Sequence, residues 1–398
     1  MNANNEVFVT RSPWSGTVPA VLLVVIQSAV LGSQAAAQVR GPDLVLLDSL
    51  ILEETEDHYL GQPLGLLVRA DGSLLVSDGF SDAVLQYDSA GRLVGNLGRK
   101  GSGPGEFRNL GGVGFTEGTV VGFLDEVGKI EVFSAISRVH LGNIRLDFDH
   151  RPASFSILRD SLWFAGVNPK SGRTLGVVAL SQLVDAASDG GTTGLLELTR
   201  GSAPVPYTVD HPLAFSLAHA FVDVGDDDVL LAYAATPFVL RVDRSGVVRD
   251  TVWIAQGTRR GEMAEPKLLA MMQESGQPQS REELRTTMFG FYGSVSFVRG
   301  VSRDGDGNIY TIHQDSNRDD DANMTAVSLY AAVSDPRGAL QCADTLIPTS
   351  GIGVPIPLLA AETLWILDQR MQGDATTDVV TVVRQFKIDA TRCTGAAR

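Results

Sequence analysis

The sequence predicts an all-β fold, a six-bladed β-propeller built from four-stranded antiparallel blades. Three observations lead to this prediction: a strand–turn–strand pattern recurs roughly every 45 residues, the last copy is one strand short, and an unused apolar run precedes the first copy. A propeller closes when the other terminus supplies the missing strand of its last blade, which leaves only short, protected sheet edges. The 42 glycines suit a fold with many tight turns.

The first copy occupies residues 63–94 and shows the pattern most clearly. Three short apolar runs, LGLLVR, SLLVSD and AVLQYD, are predicted strands, and Asp71-Gly72 between the first two is a strong hairpin signal. A fourth run, RLVGNL, follows the turn Ser89-Ala90-Gly91. Together these strands form an antiparallel meander, which is the unit of a propeller blade.

Five further copies follow, at residues 110–146, 153–198, 219–254, 295–347 and 354–390. In the third of the six units, the run GLLELT is predicted to be the fourth strand. The final unit ends after three strands, and the apolar run Leu44–Leu52 is suitably placed to supply the fourth. An open β-solenoid would not need its first strand to complete its last repeat, so the pattern favours a closed ring.

Residues 1–37 have the pattern of a secretory signal peptide. Arg11 precedes an uncharged apolar run at 18–31, and Ala35 and Ala37 satisfy the small-x-small cleavage rule. A membrane anchor is the weaker alternative, because a spanning helix needs about 20 predominantly apolar residues. We therefore expect a propeller domain at 38–398, exported to the periplasm or the cell exterior and without a membrane span after cleavage.

Charge and cysteine content limit the classes of partner and leave one question open. The formal net charge is −15, which argues against nucleic acid as a partner because nucleic-acid binding needs a basic surface. Cys342 and Cys393 could pair in an oxidising compartment or remain two buried thiols, since sequence does not show their separation. Their spacing matches no metal-binding motif.

Residues 63–107 resemble a blade of the NHL-repeat family. The matching positions form an Asp-Gly turn, two strands ending in Asp, a second Gly turn and a Gly-rich passage to the next blade: Asp71, Gly72, Asp78, Tyr87, Asp88, Gly91, Gly101, Gly103, Gly105 and Phe107. More broadly, the chain is similar to exported six-bladed bacterial propeller proteins, many without an assigned activity. The resemblance implies a propeller and leaves the function open.

The run GNLGRKGSGPGEF at 95–107 raises the question of a phosphate-binding loop. A P-loop requires Gly-Lys followed by Ser or Thr and a helix after the glycines, whereas this run lacks that triplet and a predicted strand follows it. We therefore interpret it as the link between the first two blades, with Phe107 as a buried anchor.

One segment interrupts the strand pattern, at about residues 259–288. Glu265–Met272 is helix-prone, and Ser280 begins a capping-box-like pattern, so we predict a short helical insertion. Long insertions in compact domains often act as lids or binding loops.

The links between blades should meet on one face of the ring, and they carry most of the candidate binding residues. Basic and aromatic side chains there suit an anionic ligand or a peptide carboxylate. These candidates are Arg99, Lys100, Arg108, Arg151, Tyr207, His211, Arg259 and Arg260. The sequence thus favours a monomeric binding module for an unknown protein, a peptide or a small anionic ligand, with no cofactor.

The alternative is a propeller enzyme that depends on calcium or another divalent metal, either a lyase or a lactone hydrolase. Propeller enzymes of this kind hold the ion on the channel axis, and the ring could bring together His211, His219 and His313. Asp304–Asn308 imitates the start of a calcium loop, although it also aligns with the hairpin turns of other blades. No nucleophile or zinc-binding motif is present, so the sequence does not decide whether the protein is an enzyme.

Overall fold

Six antiparallel sheets follow one another along the chain in the computed structural model of the protein. The structure describes residues 41–118, 120–125, 129–146, 153–168, 173–182, 185, 193–196, 219–234, 236–254, 296–318, 324–349, 352–371 and 379–393. The prediction of a six-bladed all-β propeller is confirmed. The predicted insertion at 259–288 lies outside the described residues.

The N-terminal half supplies the first three blades and the strand that completes the last. Strand β1 (Asp43–Ile51) belongs to the sixth blade. The first blade contains β2 (Pro63–Val68), β3 (Leu74–Asp78), β4 (Ala83–Tyr87) and β5 (Leu93–Leu97). Its link to the second blade carries β6 (Arg99–Lys100) and β7 (Glu106–Phe107). The second blade contains β8 (Leu110–Glu117), β9 (Val120–Asp125), β10 (Lys129–Ser134) and β11 (His140–Leu146). The third contains β12 (Phe155–Leu158), β13 (Ser161–Asn168) and β14 (Arg173–Ala179), and β15 (Thr193–Leu196) follows it.

The C-terminal half supplies the remaining blades in the same meander order. The fourth blade contains β16 (Ala220–Val224), β17 (Val229–Tyr233), β18 (Phe238–Val242) and β19 (Val248–Trp253). The fifth contains β20 (Phe297–Arg303), β21 (Ile309–Arg318), β22 (Met324–Ser334) and β23 (Leu340–Ile347). The sixth contains β24 (Ile352–Ala360), β25 (Thr363–Met371) and β26 (Val379–Asp389).

The ring closes through strand β1, as predicted. It pairs antiparallel with β26, from Asp43 opposite Asp389 to Ile51 opposite Val382, with one irregularity between Leu46 and Asp48. The sixth blade therefore contains strands from both ends of the domain, in the order β1, β26, β25, β24. This pairing joins the first and last strands of the propeller domain, which are far apart in sequence but adjacent in the ring.

A disulfide bond reinforces the same region. Cys342 of β23 and Cys393, which follows β26, are bonded with their Cα atoms 5.1 Å apart. The bridge joins the fifth blade to the sixth, and an ion pair of 3.0 Å between Arg392 and Asp43 lies beside it in sequence. The structure thus decides the question that the sequence leaves open: the two cysteines are paired.

Packing between blades supplies the core. Each of the six interfaces between neighbouring blades has its own cluster of buried apolar side chains. At the interface of the first two blades, for example, Leu75 and Leu97 pack with Phe123 and Phe133. Every residue of β3, β4 and β17 is buried, which explains why these strands read as continuous runs rather than as alternating patterns. Each fully buried Leu or Phe contributes about 1.5–3 kcal/mol.

Four hairpins use the same turn, encoded by Asp-x-x-Gly. In each, the Asp carboxylate accepts hydrogen bonds from the backbone N–H groups two and four residues ahead, and the Gly has a φ between 79° and 86°. A positive φ is easy for glycine and costly for other residues. The turns begin at Asp88, Asp243, Asp304 and Asp335.

The third blade differs from the prediction at its outer strand. The run 193–196 forms β15, but this strand pairs in parallel with β11 of the second blade, not with β14. Among the described residues, the third blade therefore has three strands. The prediction was wrong because an apolar run indicates a strand but carries no information about which sheet edge accepts it.

The inner strands of the first two blades approach each other backbone to backbone. A Cβ atom on Gly65 would lie 1.9 Å from the carbonyl oxygen of Gly112, and one on Gly112 would lie 2.1 Å from the carbonyl oxygen of Leu64. Only glycine fits at both positions because the obstacle is backbone, which cannot rotate away. These glycines close the channel wall between the two blades.

We expect Gly65→Ala to lower the free energy of unfolding by at least about 2 kcal/mol, because the added methyl group forces the two blades apart. Thermal unfolding followed by circular dichroism measures the effect. Gly305→Ala is the matched control, since a Cβ there meets no atom within 4 Å. Equal stability of the two variants would contradict the close approach.

Replacing both cysteines, Cys342→Ala with Cys393→Ala, is expected to lower the free energy of unfolding by up to about 4 kcal/mol. The bridge spans a sequence separation of 51 residues, so its loss frees a long loop in the unfolded chain. Urea unfolding measures the change. A reductant should destabilise the wild-type protein to a similar extent and leave the variant unaffected; a reductant without effect on the wild type would argue against the bond.

Candidate functional site

The candidate site lies on the loop face, where the links between blades meet the loops that join second to third strands. Most of its described residues lie at 52–62, 79–82 and 98–109, in three neighbouring connections. These run from the sixth blade to the first, within the first blade, and from the first blade to the second.

The Gly-rich link folds into a closed loop that fills its own anion site. Strands β6 and β7 pair in parallel, and the Glu106 carboxylate accepts hydrogen bonds from the backbone N–H groups of Ser102 (3.0 Å) and Gly103 (2.8 Å). The Arg99 guanidinium donates to the same carboxylate at 2.9 Å. The N–H of Gly103 and then the Arg99 side chain are the main causes that lower the pKa of Glu106. Amides that could cradle a phosphate are therefore already occupied by a carboxylate of the chain.

The loop is anchored from below by apolar and charged contacts. Phe107 is fully buried, as predicted, and its ring lies against Gly98, where any side chain would collide with it. The buried carboxylate of Glu131 accepts from the N–H of Gly105 at 3.4 Å and lies 2.6 Å from Nε2 of His140. These contacts fix the shape of the loop from the second blade.

The three predicted cations in the described link are engaged within the face. Arg99 pairs with Glu106, Lys100 pairs with Asp82 at 3.2 Å, and Arg108 donates to the Ser102 hydroxyl at 2.6 Å. The Lys100–Asp82 pair ties the link to the 79–82 loop, and Asp82 also accepts from the N–H of Leu110 at 3.0 Å. The structure thus brings these cations together and pairs two of them, Arg99 and Lys100, with carboxylates. The other candidates lie outside the described residues: Arg151, Tyr207, His211, Arg259 and Arg260.

The histidines of the alternative metal site occupy unlike environments. His219 is exposed just before β16, whereas His313 is fully buried in β21, where its Nε2 lies 3.0 Å from the Thr311 hydroxyl. The third, His211, lies outside the described residues. Within the part of the chain that the structure describes, no group of three or more His, Cys, Asp or Glu side chains is arranged to hold a metal ion.

The Asp304 segment, which imitates a calcium loop, forms one of the Asp-x-x-Gly hairpins. Besides the two backbone amides of the turn, its carboxylate accepts from the Asn308 amide at 2.8 Å and from the Tyr310 hydroxyl at 2.9 Å. Burial alone would raise the pKa of Asp304, but these hydrogen bonds outweigh burial and lower it. The carboxylate is therefore fully engaged in holding the turn.

Charged residues also connect the fourth and fifth blades at the opposite, hairpin end of the ring. Arg303 pairs with Asp223 at 3.0 Å and with Asp228, and Arg241 pairs with Asp228 at 2.8 Å. Burial raises the pKa of Asp223 despite the nearby Arg303. The hydrogen bonds to Asp228 outweigh its burial and lower its pKa. With both carboxylates paired to arginines of neighbouring strands, this cluster holds the blades together.

An exposed aromatic pair is the feature of the loop face that sequence reasoning missed. Tyr59 lies in the link from the sixth blade and is 44% exposed, and Phe80 lies in the 79–82 loop and is 61% exposed. Their ring centroids are 5.5 Å apart and the ring planes are tilted by 41°, which lies within the range of favourable aromatic contacts. Lys100 borders the same loop through its pair with Asp82. Neither aromatic residue belongs to a motif, so only the convergence of the two connections reveals them.

Comparison with known proteins supports the fold and does not identify a family. No protein-family model matches the chain, and no curated protein is similar to it in sequence. A solved DUF4221-family protein from Bacteroides vulgatus has a TM-score of 0.56 at 8% identity, covering 88% of this chain and 99% of that one. A candidate exported protein from Bacteroides fragilis has a TM-score of 0.52 at 11% identity, covering 87% and 95%. At such low identity, these similarities show the propeller fold alone.

The described residues contain no helix of the length and apolarity that a bilayer span requires.

Protonation of Glu106 is expected to loosen the 98–107 loop. Its pKa is lower in the folded than in the unfolded chain, so its stabilisation is present above the ordinary value of about 4.3 and is lost as pH falls through the lowered value. Hydrogen-exchange protection of the Ser102 and Gly103 amides, measured across this range, reports the loss. Glu106→Gln should give low protection at every pH. A wild-type profile that stays flat through the acid range would contradict this role.

Proposed function

We propose that this protein is an exported binding module of the NHL-repeat type, and that its loop face recognises a partner protein or peptide outside the cytoplasm. The signal-peptide pattern of residues 1–37 supports export. The Cys342–Cys393 bond also supports it, because disulfides persist mainly in oxidising compartments. The resemblance of residues 63–107 to an NHL blade supports the family.

The observation that carries the binding proposal is the Tyr59–Phe80 pair. An exposed aromatic side chain does not gain the favourable free energy of burial within its own chain. At interfaces such residues supply much of the binding free energy. Here two exposed aromatic side chains contact each other on the face of the propeller where the links between blades converge. The loops beneath them are pinned: Asp78 accepts from the N–H of Gln62 and, at 2.8 Å, from that of Ser81. The rings therefore sit on a preorganised surface, which lowers the entropic cost of binding.

The predicted cations take a supporting part in this proposal. Arg99 and Lys100 hold the link and the 79–82 loop in place through their ion pairs, and both side chains remain more than three-quarters exposed. The other predicted binding residues lie outside the described residues, and their contributions stay predictions: Arg151, Tyr207, His211, Arg259 and Arg260.

Selection of displayed random peptides on the protein tests the proposal. We expect enriched peptides to lose about tenfold or more in affinity for the double variant Tyr59→Ala with Phe80→Ala, because truncated aromatic anchors typically cost at least that much. Trp253→Ala is the matched control: Trp253 is 64% exposed and contacts Phe238 edge to face with ring centroids 5.5 Å apart, but it lies on an outer strand. Peptides that bind the wild type and the double variant equally well would overturn a loop-face function.

A further inference from the structure

The charge available for a ligand on the described loop face is negative. Residues 52–62, 79–82 and 98–109 carry six carboxylates against three cations, Arg99, Lys100 and Arg108, and two of these cations, Arg99 and Lys100, are each paired with a carboxylate of the face. The acidic residues that remain lie next to Tyr59, in the sequence Glu53-Glu54-Thr55-Glu56-Asp57.

Two of these four acids hold the link, and two do not. Glu54 accepts from the N–H of Leu60 at 3.2 Å and from the Thr381 hydroxyl at 2.7 Å, and Glu53 accepts from the N–H of Leu93 at 3.2 Å. Glu56 and Asp57 are exposed and make no side-chain hydrogen bond or ion pair with any described residue. Hydrogen bonds that hold the link in place therefore account for Glu53 and Glu54, whereas Glu56 and Asp57 have no such structural role among the described residues.

A tight turn places Glu56 and Asp57 directly before Tyr59 of the aromatic pair. Thr55 and His58 exchange backbone hydrogen bonds of 2.8 and 3.1 Å, which closes a tight turn with Glu56 and Asp57 at its two central positions. The Thr55 hydroxyl also accepts from the N–H of His58 at 3.1 Å. Tyr59 follows the turn directly, and its ring contacts that of Phe80.

We propose that this surface, formed by Glu56, Asp57, Tyr59 and Phe80, receives a basic segment of a partner protein, with an Arg or Lys side chain seated on the rings. The proposal rests on the binding function proposed above and names the chemistry of the partner. A guanidinium or ammonium group over an aromatic face is attracted by the negative charge density of the ring face, and its aliphatic stem packs on the ring. The carboxylates then supply the opposite charge.

Charge complementarity selects this occupant over the others. An uncharged apolar segment would cover the rings but partly desolvate two carboxylates without compensation, which is costly. An acidic segment would meet like charge from Glu56 and Asp57. The protein as a whole carries a formal net charge of −15, so its field also attracts a basic partner and repels an acidic one.

Three labelled peptides of equal length test the inference: each carries one Phe, and the remaining variable positions are all Arg, all Gln or all Glu. Fluorescence anisotropy at moderate salt measures their binding to the wild-type protein. We expect the Arg peptide to bind at least about tenfold more tightly than the Gln peptide, and the Glu peptide to bind weakest. The double variant Glu56→Gln with Asp57→Asn should weaken the Arg peptide about three- to tenfold.

A charge-matched control separates this site from general attraction to an acidic protein. Glu117 and Asp306 are exposed on hairpins at the opposite end of the ring, so Glu117→Gln with Asp306→Asn changes the net charge equally and should leave binding unchanged. If the Gln or Glu peptide binds as tightly as the Arg peptide and still depends on Phe80, the inference about charge fails while the binding function stands. If no peptide loses affinity on Tyr59→Ala with Phe80→Ala, both proposals fail.

Discussion

Closure of the ring by the pairing of β1 with β26 is the constraint on which the rest of the structure depends. A propeller blade buries both faces against its neighbours, so an open ring would expose the apolar interface between the sixth and first blades to solvent. The pairing from Asp43 opposite Asp389 to Ile51 opposite Val382 fixes β1 in the sixth blade. Because the chain runs from β1 directly into the first blade, this pairing ties the first blade to the sixth. The Cys342–Cys393 bond and the Arg392–Asp43 ion pair strengthen the same sector. Closure also brings the link that carries Tyr59 onto the loop face.

The features that local chemistry determines are the ones that sequence reasoning predicted. Asp-x-x-Gly turns need only a short side chain that accepts two amides and a glycine that tolerates positive φ, so the hairpins and the number of units are readable from the chain. The missing last strand followed from the same count. The edge to which β15 adds was not readable, because strand runs of similar composition compete for several sheet edges.

The candidate site was only partly predictable, for a related reason. Arg99 and Lys100 lie in the link from the first blade to the second, and their partners Glu106 and Asp82 lie in positions that only the folded loops bring near. The basic residues of the link suggested an anion site, and the sequence did not show that Arg99 and Lys100 are each paired with a carboxylate. The Gly-rich link illustrates the same effect, since its amides are satisfied by the Glu106 carboxylate of the loop itself. Among the described residues, the exposed Tyr59–Phe80 pair and the carboxylates of Glu56 and Asp57 take no part in these ion pairs and hydrogen bonds.

The central claim is that the loop face beside Tyr59 and Phe80 is the recognition surface, and that it prefers positive charge. A crystal structure of the protein with an arginine-rich peptide tests this most directly. The account predicts a guanidinium over the Tyr59–Phe80 rings with Glu56 or Asp57 within ion-pair distance. A peptide bound to the outer strands or to the hairpin end of the ring, with the aromatic pair still exposed to solvent, would contradict it.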